Sequence, residues 1–164
     1  MALPHPIPAP APPTEDLIAN ILVRRHVAHR RLLTKAIRLA TRVERAHAVH
    51  DACPHGLADL LLLISDDLED HQQKEEAVLF PLMLSGATPS LAGPLSRMRR
   101  DHDDLVDLAE GLGALTDGFT PPPGACTTWC ALYAVCAQLD ASLNADIALE
   151  NEVLFPRFSA RAPV

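Results

Sequence analysis

The sequence predicts an all-α protein, an up-down-up-down antiparallel bundle of four helices, and three observations carry that prediction. Four long stretches repeat apolar residues at alternating spacings of three and four, the seam of a bundle helix, and short turns rich in Gly and Pro separate them. Aromatic residues make up only 4% of the chain and its seven glycines are scattered, which argues against an all-β design. The third observation is an internal repeat. HQQKEEAVLFPLM, His71–Met83, returns 75 residues later as DIALENEVLFPRF, Asp146–Phe158. Glu75 falls on Glu150, Val78-Leu79-Phe80-Pro81 on Val153-Leu154-Phe155-Pro156, and His71 on Asp146. Each copy thus offers two metal-ligating side chains at i and i+4, on one helix face.

In order along the chain, residues 1–13 are rich in Pro and Ala and read as a flexible, polyproline-like tail, and residues 14–160 as the bundle. Thr14, followed by Glu15 and Asp16, is a helix start with acids in its first turn. Nothing breaks this helix before about His50, and its seam is His26, His29, Leu33, Ala36, Ala40, Val43 and His47. Pro54 and Gly56 mark the turn at Asp51–Gly56. Helix two runs from Leu57 to about Ser85 with the seam Leu57, Leu61, Ile64, Leu68, His71, Glu75, Val78 and Leu82; Pro81 should kink its last turns or shift their hydrogen bonding. After a turn at Gly86–Ser90, helix three starts near Ser90 and presents Leu95, Met98, His102, Leu105, Ala109 and Leu112. A stiff Thr116–Gly124 connection with three prolines leads to helix four, from Ala125 to about Ser159, with Trp129, Leu132, Cys136, Leu139, Leu143, Asp146, Glu150 and Val153 on its seam.

With 164 residues the chain suits one domain. Its net charge of −7 disfavours a nucleic-acid partner. No apolar run approaches the ~20 residues that span a bilayer, and the first residues lack the basic and apolar segments of a secretion signal. Cys53, Cys126, Cys130 and Cys136 have no zinc-type spacing and read as reduced thiols of a cytoplasmic protein.

Polar residues interrupt every seam at one height. Counted from the turns of an antiparallel bundle, His26, His71, Glu75, His102, Asp146 and Glu150 fall within a slab roughly 9 Å thick, at ~1.5 Å per residue. His47 lies about 21 residues, or roughly 31 Å, beyond His26 and cannot join them. His29 shares their height, but the repeat pairs His26 with His102 and puts Leu105 opposite His29, so it reads as a supporting or structural residue. Buried carboxylates are costly unless paired or metal-bound, and no lysine or arginine occupies these seams. Three imidazoles and three carboxylates, two placed to bridge, suit two iron ions, with manganese as a substitute; zinc usually takes fewer ligands in a tetrahedral site. The alternative is a buried polar network without metal.

These motifs, a histidine on helix one, His-x-x-x-Glu-Glu-x-x-Leu-Phe-Pro on helix two, His-Asp on helix three and Glu-Asn-x-x-Leu-Phe-Pro on helix four, resemble the hemerythrin-like, or HHE cation-binding, family. Within it they resemble the repair-of-iron-centres proteins of bacteria. Val43-Glu44-Arg45, Pro54-His55-Gly56-Leu57, Pro121-Pro122-Pro123 and Ala125-Cys126-Thr127-Thr128-Trp129 extend the likeness over residues 15–160. The resemblance implies a non-haem di-iron centre in a four-helix bundle, with His26, His71 and His102 as terminal ligands and Glu75 and Glu150 as bridges. It also implies repair of iron–sulfur clusters damaged by nitric oxide or oxidants, and binding or reduction of nitric oxide. Asp146 departs from the pattern, which has histidine there, as the internal repeat also expects. Longer family members carry an N-terminal cysteine-containing domain, in whose place this sequence has the proline-rich stretch.

The expected function is therefore that of a di-iron protein of nitrosative or oxidative stress, with nitric oxide or dioxygen as small-molecule partners and iron–sulfur clients and an electron donor as protein partners. A non-catalytic hemerythrin-like sensor of dioxygen or nitric oxide, or an iron store, is the alternative class. A third possibility is a scaffold whose centre Asp146 has disabled.

Overall fold

Apolar stripes at helical spacing cannot be buried singly, and here four of them close on one another. A computed structural model describes residues 11–86 and 90–159. Helix α1 runs Thr14–Asn20, widens into a π-helical turn at Ile21–His26, and continues as Val27–Ala46. Helix α2 is Leu57–Lys74, a π turn at Glu75–Leu79 and Phe80–Leu84; α3 is Ala92–Leu115. Helix α4 is Thr127–Leu149, a π turn at Glu150–Leu154, and a last turn at Pro156–Ser159. The four form the expected up-down-up-down bundle, α1 and α3 each packing against both α2 and α4.

The ends differ slightly from the expected ones. Helix α1 stops at Ala46 because His47 has left helical geometry (φ −120°). Gly56, at φ +83°, takes the left-handed conformation that lets α2 start directly after the turn. Helix α3 begins two residues after Ser90, and α4 two residues after Ala125, with Cys126 extended before its first turn. Of the stretch read as a tail, residues 1–10 lie outside the described residues, as do 87–89 of the second turn and residue 160.

The core has two apolar bodies. The larger contains Leu33, Ala36, Ala40, Leu57, Leu61, Ile64, Leu112, Trp129, Leu132 and Leu139. The smaller, nearer the chain start, contains Leu17, Ile18, Ile21, Leu79, Phe80, Met83, Leu95, Leu154 and Phe155. Between them lie the buried polar residues of α1 to α4.

Three seam positions are corrected. Val78 is 52% exposed and Val153 37%, and Leu82 is only partly buried, while Leu79, Met83, Leu154 and Phe155 are buried in their stead. The cause is the π turn. The Phe80 N–H bonds to the Glu75 carbonyl and the Phe155 N–H to the Glu150 carbonyl, five residues back instead of four. One extra residue per turn rotates everything after it by ~100°. Pro81 and Pro156, which cannot donate, each follow two residues beyond such a turn, so the expected shift in hydrogen bonding near Pro81 occurs. Among the described residues no helix is long and apolar enough to cross a membrane.

Candidate metal centre

All six predicted residues are buried and converge between the two apolar bodies. They form two groups whose ligating atoms lie within 4.8 Å of one another: His71, Glu75, His102 and Glu150, and His26, Asp146 and Glu150. Glu150 belongs to both. Glu75 also faces both ways, with Oε2 at 3.3 Å from His26 Nε2 and Oε1 at 3.4 Å from His71 Nε2. His102 Nε2 lies 2.9 Å from Glu150 Oε2 and 3.2 Å from His71 Nε2. Each π turn begins or ends on one of these residues, His26, Glu75 or Glu150. The widened turn sets that side chain inward while returning the next ones to the core.

Two of the histidines are oriented from behind. His26 Nδ1 donates to Glu76 Oε1 (2.8 Å), which also receives Arg30 Nη2 (3.0 Å). His102 Nδ1 donates to Asn151 Oδ1 (3.0 Å), whose identity as the oxygen is fixed by Arg99 Nη1 at 3.2 Å. With Nδ1–H committed, each neutral ring turns a bare Nε2 lone pair toward a carboxylate. Phe80 and Phe155 stack on the same two rings, at 6.3 and 5.6 Å between centroids.

This arrangement fits a cation. Acceptor faces acceptor at His102–Glu150 and His26–Glu75, contacts that only a shared proton or a positive ion makes attractive. Both oxygens of the fully buried Glu75, and Asp146 Oδ1, lack a hydrogen-bond donor among the described residues. Their protonation reflects the crowding. Burial pushes the Glu75 carboxyl up, but His26 and His71 more than offset it and hold it at about 2. Burial together with the charges of Glu75 and Asp146 drives Glu150 well above the usual carboxylate range. Asp146 is pushed up to about 6 by burial, Arg25 pulling it back. Burial tends to lower His26, yet Glu75 and Glu76 raise it, whereas burial and neighbouring His71 bring His102 down to about 4.

His29 is close by but held elsewhere. It donates from Nε2 to Ser142 Oγ (2.9 Å), receives Gln72 Nε2 at Nδ1 (3.4 Å), and lies 3.9 Å from Asp146 Oδ2. Burial takes it down to about 4, so it is a neutral ring. His47 sits far away, packed at a tilt against Trp129 (4.9 Å between centroids) and 3.3 Å from Cys126 Sγ. One expectation fails: a basic residue does reach the centre. Arg25, read as lying outside the seam, brings its Nε to 3.4 Å from Asp146 Oδ1, because the π turn at Ile21–His26 turns it toward α4. Glu76 and Asn151 were also missed. The repeat carried their signal, since Glu76 and Asn151 stand at equivalent positions.

A sequence model of the hemerythrin HHE cation binding domain matches residues 17–158. The chain belongs to this family. As a hemerythrin HHE domain it carries a cation-binding fold, and the histidine–carboxylate cluster lies where its helices converge. The chain is similar to the iron–sulfur cluster repair protein YtfE of Musicola paradisiaca, at 47% identity over 147 residues, and of Cronobacter sakazakii, at 46% over 147 residues. The alignments span 90% of this chain and 66% of each relative. The same protein of Escherichia coli strain SMS-3-5 is 42% identical over 145 residues, 88% of this chain and 66% of the relative. The hemerythrin domain described here thus spans just under two thirds of the length of these relatives.

Proposed function

We propose that the chain is a non-haem di-iron protein of the response to nitrosative and oxidative stress, which repairs damaged iron–sulfur centres or binds and reduces nitric oxide. The observation that supports it most is the double facing of the carboxylates. Glu150 belongs to both ligand groups, and each oxygen of Glu75 addresses a different histidine. Carboxylates so placed would hold two ions rather than one. His71 and His102 would serve one ion and His26 and Asp146 the other. A set of imidazoles and carboxylates with no thiolate suits iron, with manganese as a substitute. The names of the relatives supply the iron–sulfur client class.

When bound, the pair of ions supplies one-electron chemistry and a place for a diatomic ligand. The chain's own residues do the rest. Glu76 and Asn151 keep Nε2 of His26 and His102 bare and aimed, and Phe80 and Phe155 hold the rings in plane. Leu68, Leu105, Leu143 and Ile147 close off a small cavity of about 10 Å³ that His26, His71, His102, Asp146 and Glu150 themselves line. Because burial raises Glu150 and Asp146 above the usual carboxylate range, loading would displace protons and weaken at low pH.

The test is iron content per chain after anaerobic purification, with reactivation of a nitric oxide-damaged [4Fe–4S] enzyme measured on the same sample. Two irons and faster reactivation, or reductant-dependent loss of nitric oxide, are expected. Two irons with a reversible spectral change and neither activity would replace the proposal by the sensor or store. No iron would overturn the centre.

A further inference from the structure

The internal repeat makes the α1–α2 and α3–α4 halves equivalent, and the structure keeps that equivalence closely. His26 and His102 each donate to the residue after a bridging carboxylate, Glu76 or Asn151, and each stacks on the Phe of a Leu-Phe-Pro. The equivalence breaks at several positions, Glu76 against Asn151 among them, and reverses in sign at one pair. His71 corresponds to Asp146, and Asp101 to Arg25. In one half Asp101 Oδ2 lies 3.9 Å behind His71 Nδ1; in the other Arg25 Nε lies 3.4 Å from Asp146 Oδ1. An imidazole backed by a carboxylate has become a carboxylate backed by a guanidinium. Both members differ together, and the contact stays attractive. Either change alone would have set carboxylate against carboxylate or guanidinium against imidazole.

We infer that Arg25 is a positioning residue for Asp146, and that this pair makes the His26–Asp146 side the weaker, exchangeable cation position of the centre. The inference rests on the two-ion reading above. Asp101, itself held by Lys74 and Arg97, still presents a negative oxygen toward the His71 ring and favours a cation beyond it. Arg25 does the reverse. It draws on the carboxylate a cation needs, and its own charge repels that cation. Arg25 Nε and Asp146 Oδ1 are both buried and make no hydrogen bond, so the ion pair is their principal interaction among the described residues. Partners behind metal ligands commonly shift affinity by about 10- to 100-fold. Arg25 and Asp101 act with opposite sign on the two sides, an effect that the carboxylate of Glu76 behind His26, against the neutral Asn151 behind His102, offsets in part.

The experiment is an anaerobic cobalt(II) titration of the full chain, read by optical bands and equilibrium dialysis, with helix content checked by circular dichroism. The variants are R25M, D146H and D146H/R25D. Met keeps the apolar stem of the partly exposed Arg25 side chain, so R25M preserves packing. Wild type is expected to take up two ions in steps at least about 10-fold apart. R25M should tighten only the weak step, and D146H/R25D, which rebuilds a second His–Asp pair, should bring the two steps together where D146H alone does not. Two inseparable steps in wild type, or a weak step unmoved by R25M, would overturn the inference while leaving the two-ion centre standing. No uptake by wild type would remove both.

Discussion

Removing the charge of Asp146 should stabilise the metal-free protein, against the usual result for an ion-paired residue. Burial raises its carboxyl from 3.8 to about 6, with Arg25 opposing and Glu75 adding to the rise. About two pH units at 1.36 kcal/mol each amount to roughly 3 kcal/mol of penalty for ionising it in the fold. The folded carboxyl holds its proton more tightly than the unfolded one. Its contribution is therefore full below about pH 4 and is lost as pH rises through about 6. At ~pH 7.5 the penalty stands in full. Asp146→Asn, with an amide of the same shape, should gain up to roughly 3 kcal/mol there, and show little difference from wild type at ~pH 4. Glu150 and His26 are raised in part by the charge of Asp146, so the variant relaxes them too, and the difference between the two proteins reports Asp146 together with its coupling to both. The assay is urea unfolding of chelator-treated protein at several pH values. A variant no more stable than wild type at ~pH 7.5, or an advantage that grows as pH falls, would refute the reasoning.

Three further outcomes are expected. His29→Leu leaves Ser142 and Gln72 without their buried partner and should cost about 1–3 kcal/mol with metal uptake per chain equal to wild type's; a lower uptake would make His29 a ligand. Deleting Val78 brings Phe80 four residues after Glu75, so an ordinary α turn closes on the same carbonyl and Phe80 and Met83 keep their core face; thermal unfolding should show the fold retained, with a change below about 2 kcal/mol. A loss above about 4 kcal/mol would mean that the π turn does not simply absorb one residue. In native protein the exposed Cys130 should react with a thiol reagent at once, whereas Cys136, fully buried with its thiol pushed to about 12, and buried Cys53 should wait for unfolding. Prompt labelling of Cys136, read by peptide mass, would count against the core described.

Much of this architecture was legible because period and height are one-dimensional properties. Leu57, Leu61, Ile64 and Leu68 announce one face of α2, and counting from the turns brought six polar side chains to one level. What escaped was the phase after each π turn. Nothing in the composition of Glu75–Leu79 distinguishes five residues per hydrogen-bonded turn from four, so Val78 was placed inside and Leu79 left out. Arg25 escaped for the same reason, its direction being set by the turn at Ile21–His26. The partners of His26 and His102 were hidden differently. Glu76 and Asn151 are ordinary exposed-face residues until the neighbouring helix supplies an imidazole.

The placement of the polar layer between two apolar bodies bears on how the molecule comes apart. Leucines close both bodies, with Trp129 and Tyr133 in the larger and Phe80 and Phe155 in the smaller, and the two form separate clusters of buried apolar residues. Without cations that layer holds crowded carboxylates and imidazoles that Arg25 balances only in part, so the two ends share helices but little cohesion. The end built on Leu17, Ile21, Phe80 and Phe155 can then open while the Trp129 end stays shut. Cations bound by α1, α2, α3 and α4 together would tie both ends into one cooperative unit. Loading then governs whether the chain unfolds in one transition or two, and amide exchange near Phe80 would report the metal content more sensitively than exchange near Leu132.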